Sequence, residues 1–298
     1  MLNCENVVQK IFDAHSHCSN NKKGILDFFS SHINNNIFTG IVMINPFVEE
    51  IKCHKDKSHY VCIKSISKDN DMLYCTNCNK TYGAANTIFR DYNANLIEQV
   101  NIFNAKYNTK FYPFLNVASS QRMMIDEFNF FKDEYKKKFW GIKIYTGLSY
   151  NILDEIDSLD LTCPLIIHTA MRYGNQQPKN MLRFLLKYKG PILLAHFARF
   201  DLQTIQILKS KNNIFYDSSP ATLLYETFYA NEKSSFSCVE ELYYKIFDLV
   251  GCNKVLWGSD FPFGNIRQEL TILNQLNISN SERNLIAWEN SKRFLNYL

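Results

Sequence analysis

The sequence contains no run of 18 uncharged apolar residues, the minimum for a membrane-spanning helix. It opens Met1-Leu2-Asn3-Cys4-Glu5, with no basic segment ahead of an apolar core, so nothing there reads as a secretory signal. The expectation is a cytosolic chain that keeps its thiols reduced. Neither sign of charge is in large excess: 33 Lys and Arg stand against 29 Asp and Glu, a net +4. With no basic stripe, that balance argues against a nucleic-acid partner. The short run Lys136-Lys137-Lys138 reads as the solvated end of a helix. Internal repeats and low-complexity linkers are absent as well. Without disulfides, the nine cysteines need another use, and four of them fall between positions 53 and 78.

What the chain does have is a recurring alternation over 298 residues, 46 % of them hydrophobic. Eight short apolar runs stand out: Lys10–His15, Phe38–Asn45, Lys110–Val117, Gly141–Tyr145, Pro164–Thr169, Pro191–His196, Asn213–Asp217 and Lys254–Gly258. Most are nearly continuous in apolar residues, as parallel strands covered on both faces should be. Helical spacing falls between them, in Asp126–Lys138, Met181–Lys189, Phe236–Val250 and Ser281–Leu298, with Ser281 placed to cap the last. Strand and helix alternating eight times predicts a (β/α)₈ TIM barrel over residues 1–298. A doubly wound open sheet is the structural alternative.

Polar groups recur at the ends of these runs. His15 and His17 close the first in Asp13-Ala14-His15-Ser16-His17; alternation along a strand puts positions 13, 15 and 17 on one face. His168 ends the fifth run, His196 ends the sixth, and Asp260 follows the eighth. In a barrel these ends converge on one mouth. Neutral imidazoles with a carboxylate suit Zn²⁺ or a similar divalent ion, which acidifies bound water and polarises carbonyls. Taken singly, each is as easily a buried polar group satisfied by backbone; their joint placement favours a metal site. Arg172 and Arg199 follow the fifth and sixth strands, where each could clamp a carboxylate or be an ordinary ion-paired loop residue. Tyr145, Tyr173 and Phe261 are candidates for an aromatic wall, with core packing the alternative.

With these motifs the chain resembles the amidohydrolase superfamily, in its amidohydrolase-related branch. The resemblance rests on Asp13-Ala14-His15-Ser16-His17, Gly141-Ile142-Lys143-Ile144-Tyr145, Ile167-His168-Thr169, Ala195-His196-Phe197 and Trp257-Gly258-Ser259-Asp260-Phe261-Pro262. The closing Trp288-Glu289-Asn290-Ser291-Lys292-Arg293-Phe294 is similar to that branch's terminal helix. The resemblance implies that His15, His17, His168 and Asp260 hold a catalytic Zn²⁺ or another divalent ion. It implies that His196 contacts substrate or shuttles a proton, and that Asp260 doubles as general base. Lys143 is similar to a fourth-strand lysine that dihydroorotase-like members carboxylate to bridge two metals; His196 would then ligate the second ion. One catalytic metal is the favoured expectation. Otherwise Lys143 is a buried lysine paired with a carboxylate such as Asp13.

Residues 48–83 interrupt the barrel after its second strand. Cys75-x₂-Cys78 follows Met72-Leu73-Tyr74, His59-x₂-Cys62 lies upstream, and twelve residues separate Cys62 from Cys75. Tyr60–Ile66 and Asp71–Tyr74 are placed to form a hairpin around Ser67-Lys68-Asp69-Asn70. Two ligand pairs at a hairpin base form a zinc-ribbon-like pattern, so a structural Zn²⁺ on four of Cys53, His59, Cys62, Cys75 and Cys78 is expected. The alternative is free thiols in a loop. The leading functional expectation is a metal-dependent hydrolase of an amide, lactone or ester bond in a small molecule or peptide. A metal-dependent decarboxylase, a lyase acting on a small unsaturated or aromatic carboxylic acid, is the alternative. A non-catalytic binding module using the insertion ranks third. Neither a membrane nor a nucleic acid is expected as partner, and self-association into a homo-oligomer stays open.

Overall fold

The structure, a computed structural model, describes residues 8, 10–18, 28, 37–44, 61–67, 70–75, 77–78, 80–116, 130, 140–144, 153, 156, 162–169, 177–230 and 236–295. Eight parallel strands make one sheet: β1 Ile11–His17, β2 Phe38–Ile44, β6 Lys110–Asn116, β7 Gly141–Ile144, β8 Leu165–Ile167, β9 Ile192–Leu194, β10 Ile214–Asp217 and β11 Val255–Leu256, paired in that order. These are the eight runs read from the sequence. The sheet curls round until its edges meet. Ala14 N–H donates to Trp257 O at 3.1 Å, Asp260 N–H to His15 O at 2.7 Å, and Ser16 bridges Phe261. The result is a TIM barrel.

Side-chain alternation divides the strands between two cores. Ile192 and Leu194, Leu165 and Ile167, and Ile214 and Tyr216 face outward to the helices, while Leu193, Ile166 and Phe215 fill the interior. Phe12, Phe114 and Phe294 join that interior cluster, with Phe294 stacked on Phe114 at 6.0 Å. The last helix therefore plugs the barrel. Gly40 on β2 is needed for this filling, because a Cβ there would collide with the Phe12 ring.

The helices described are α1 Ala85–Lys106, α2 Leu182–Lys187, α3 Leu202–Leu208, α4 Ala221–Leu224, α5 Val239–Val250 and α6 Ile266–Gln275, with the plugging helix, α7, last. The last runs from Asn280–Asn284 through a π turn, Leu285–Glu289, to Asn290–Leu295. Its cap is Ser279, not Ser281. Ser279 has Glu282 three residues on, so the pair satisfies two first-turn N–H groups reciprocally. No helix among the described residues is long and apolar enough to cross a membrane.

The insertion forms its own sheet, β3 Val61–Ser67, β4 Asn70–Cys75 and β5 Lys80–Ala84, all antiparallel. The expected hairpin is its first half, and the third strand is an addition to it. Cys75 ends β4 and is buried, and Cys78 sits half-buried in the turn before β5. Cys62 lies opposite Tyr74, one register position from Cys75. Cys53 and His59 fall outside the described residues. The region 126–138, expected as a helix, does so too, apart from Phe130.

Candidate active site

The carboxyl ends of the strands bring the predicted polar groups together. His15 and His17 come from β1, Lys143 from β7, His168 from just past β8, His196 from past β9 and Asp260 from past β11. The strict alternation expected for positions 13, 15 and 17 is not kept. Pairing with β2 slips between Asp13 and Ser16, and Ala14 belongs to the interior cluster with Phe12. An irregularity of this kind re-aims side chains at a barrel rim. Here both imidazoles meet Asp260 Oδ1, His17 Nε2 at 3.2 Å and His15 Nε2 at 3.4 Å. Gly258 keeps this corner open, since a Cβ there would lie 3.1 Å from His15 Cβ.

Hydrogen-bond partners fix the imidazole tautomers. His15 Nδ1 lies 2.9 Å from Asp217 Oδ2, and a carboxylate accepts, so Nδ1 carries the hydrogen and Nε2 the lone pair. His196 Nδ1 lies 2.6 Å from Ser219 O, a carbonyl, so it too carries hydrogen. His196 Nε2 then accepts from His168 Nδ1 at 3.1 Å, which leaves the His168 lone pair on Nε2. All three rings hold hydrogen on Nδ1. Burial, reinforced by the charge of Lys143, drives His15 well below its usual range. Burial and His196 do the same to His168, and burial lowers His196 to about 4 against the pull of Asp260. The rings are therefore neutral near pH 7. Burial pushes Asp260 upward, yet the imidazoles of His15, His17 and His196 outweigh it and keep it well below the ordinary carboxylate range.

Asp217 is the buried residue of this candidate site that motif reading passed over. It is fully buried at the end of β10. Its Oδ1 accepts from Ser219 N, Ser219 Oγ and His196 N at 2.9, 2.7 and 3.1 Å, while Oδ2 serves His15. The signal was available: the seventh run ends in a carboxylate, as others end in His or lead into Asp. Asp13 does not pair with Lys143. Its oxygens accept from Ser259 N, Ser259 Oγ and His15 N, which pins the loop bearing Asp260. Lys143 Nζ instead lies 2.7 Å from His15 Nε2. Burial lowers its amine to about 8, with Asp260 and Asp217 opposing.

Backbone strain gathers here. His196, Phe197, Ala198, Arg199 and Phe200 all have φ between 50° and 59°, and Asp260 has φ 51°. For residues with a Cβ, left-handed backbone costs roughly 1–2 kcal/mol each. The turn is held by Asp217 on His196 N, by Phe197 edge-on to Tyr243 at 5.0 Å, and by Arg199 Nε donating to Thr169 O at 2.9 Å. Arg199 is thus partly committed to the strand end, while its charge still reaches His168 and His196. Phe263 stands half-exposed with its ring edge-on to His17 at 5.8 Å. Arg172, Tyr145 and Tyr173 lie outside the described residues.

Two groups of ligand-type atoms come within 4.8 Å of one another among the described residues: His15, His17 and Asp260, and His15, His196 and Asp217. The second is spent on hydrogen bonds, because His196 Nδ1 donates to a carbonyl and Asp217 accepts four donors. The first has a lone pair of His15 and a carboxylate oxygen aimed inward, with His168 at one remove through His196. Its donors fit a divalent cation, and the buried carboxyls of Asp217 and Asp260 give that charge a counterweight.

A family model described as amidohydrolase matches residues 133–297, more than half of the chain. The chain belongs to the amidohydrolase family. That stretch carries Lys143, His168, His196, Asp217 and Asp260. No curated protein sequence matches the chain significantly. Among solved structures it is similar to a candidate amidohydrolase from Staphylococcus aureus, 13 % identical, TM-score 0.61, covering 96 % of this chain and 99 % of that one. It is similar to 5-carboxyvanillate decarboxylase from Sphingomonas paucimobilis, 10 % identical, TM-score 0.62, covering 97 % and 99 %. A third likeness is to a dihydroxybenzoic acid decarboxylase from Polaromonas with bound manganese and 2-nitroresorcinol, 11 % identical, TM-score 0.59, covering 97 % of each. At these identities the likeness is one of fold.

Proposed function

We propose that this amidohydrolase-family enzyme uses one divalent ion, held by His15, His17, His168 and Asp260, to decarboxylate a small carboxylic acid. The observation that carries the reading is the tautomer pattern. His15 and His168 carry their lone pairs on Nε2, that of His15 accepting from Lys143, whereas His196 and Asp217 are each tied by hydrogen bonds to the backbone that a second ion would have to break. One cation position suits the decarboxylase alternative better than a bridged pair. Two of the three solved structures named above are decarboxylases, one with manganese, which supports the same choice.

When bound, the ion would supply Lewis acidity and a positive charge for a substrate carboxylate. The side chains do the rest. Asp260, kept ionised, serves as ligand and as proton acceptor. Arg199 adds positive charge behind His168 and His196. Phe263 offers an apolar face beside His17. In the overall reaction R–COO⁻ and H⁺ give R–H and CO₂. The carbon–carboxyl bond breaks, its electron pair stays on the substrate carbon, and that carbon takes a proton relayed by His196, whose Nε2 must first accept it because the resting ring carries hydrogen only on Nδ1.

Hydrolysis remains the second reading, favoured by the family's description and by Asp260 as a base. The deciding experiment is a substrate panel with Mn²⁺ or Zn²⁺. Released CO₂ is followed for hydroxylated aromatic and unsaturated acids, and released acid for amides, lactones and esters. CO₂ release that falls about 10²–10⁴-fold in His196→Asn at unchanged metal content supports the proposal. Turnover of only the amides or esters overturns it in favour of hydrolysis.

A further inference from the structure

Lys143 sits between Ile142 and Ile144 on β7, whose side chains pack outward, and is itself fully buried. Its Nζ donates to His15 Nε2 at 2.7 Å. Asp217 fixes the hydrogen of His15 on Nδ1, so Nε2 has a single in-plane lone pair. A divalent ion held with His17 Nε2 and Asp260 Oδ1 needs that same lone pair. One lone pair cannot serve an N–H donor and a metal at once.

We infer that Lys143 is a resident cation of this site, competing with the divalent ion for His15 Nε2 and thereby setting the site's metal affinity. The inference rests on the metal-site reading above and concerns what the lysine does to it. Before loading, the ammonium aims His15 and offsets the buried charge of Asp217 and Asp260. On loading, its N–H turns away from His15, and its charge still opposes the incoming ion. Removing the lysine therefore has two effects of opposite sign. Metal binding tightens, because a competitor and a like charge are gone. The metal-free fold weakens, because buried carboxylates lose their counter-charge. A lysine that only filled space would weaken the fold without tightening binding.

The test uses metal-free full-length protein titrated with Mn²⁺ by calorimetry, with thermal melts in its presence and absence. Parent, Lys143→Met and Lys143→Gln are compared; Gln keeps a buried polar group should Met prevent folding. Lys143→Met, which loses both the charge and the competing donor, is expected to bind Mn²⁺ on the order of ten- to a hundredfold more tightly than the parent, and Lys143→Gln, whose amide keeps a donor but no charge, more tightly than the parent by a smaller factor. They should melt lower without metal and show a larger Mn²⁺-induced rise. Binding equal to or weaker than the parent's overturns the inference, a loss of binding marking Lys143 as a ligand. A parent that binds no Mn²⁺ or Zn²⁺ overturns the metal-site reading itself, a distinguishable result. A measurement independent of either variant is the crystal structure of the Mn²⁺-loaded parent. There Lys143 Nζ should lie beyond about 3.5 Å from His15 Nε2, outside hydrogen-bond reach. A retained contact contradicts the competition.

Discussion

Replacing Asp217 with Asn tests whether a residue that touches no metal controls the ligand beside it. The carboxylate accepts four hydrogen bonds, one of them from His15 Nδ1 at 2.9 Å. Asn keeps one acceptor oxygen. That oxygen is needed by Ser219 and the strained His196 turn, so the NH₂ is left facing His15. A donor there forces the imidazole hydrogen onto Nε2, the atom a cation must use, and the Lys143 N–H that points at Nε2 turns aside. Loss of such an orienting partner weakens metal binding by roughly ten- to a hundredfold, about 1.4–2.8 kcal/mol. Calorimetric titration with Mn²⁺ measures the affinity, and two-dimensional ¹H–¹⁵N NMR of the imidazoles reads the tautomer directly. The expected outcome is an Nδ1–H His15 in the parent, an Nε2–H His15 in the variant, and weaker binding. Unchanged affinity, or a tautomer that does not switch, would refute the argument that Asp217 orients the ligand.

Phe294→Ala should cost about 3–5 kcal/mol, because the ring plugs the barrel between Phe114 and Phe215; chemical denaturation checks this. Glu269 on α6 accepts from Ala221 N and Thr222 N at the start of α4, and burial raises its carboxyl from 4.5 to about 7. Its contribution to stability is present below pH 4.5 and lost as pH rises through about 7, a change of about 3 kcal/mol that Glu269→Gln should remove from a pH series of melts. We further propose that Cys75 and Cys78, with two of Cys53, His59 and Cys62, hold a structural zinc. The Cys75→Ser/Cys78→Ser protein should then contain about one zinc fewer per chain by elemental analysis, and unchanged content would show that the insertion is ordered otherwise.

The barrel was legible because its strands are buried on both faces, so runs such as Ile192-Leu193-Leu194 are apolar throughout. Their polar termini marked the site for the same reason: a His or Asp ending such a run has little to do in a core. Asp217 obeyed that pattern and was passed over because it belongs to no metal motif. Other features were beyond the pattern. β5 reads Lys-Thr-Tyr-Gly-Ala, with a glycine and no apolar alternation, and it pairs only because β4 offers an edge. The left-handed turn His196-Phe197-Ala198-Arg199-Phe200 contains no Gly or Asn, so no local preference announces it; tertiary contacts impose it. Ser279 and Ser281 both precede helical residues, and Glu282 decides between them by closing a capping box with the former.

The most direct test of the metal site is anomalous diffraction from crystals soaked in Mn²⁺. The account predicts one ion per barrel mouth, bound by Nε2 of His15, His17 and His168 and by an Asp260 oxygen, with His196 still donating through Nδ1 to Ser219. An ion bound elsewhere, or two of those four side chains turned away from it, would contradict it.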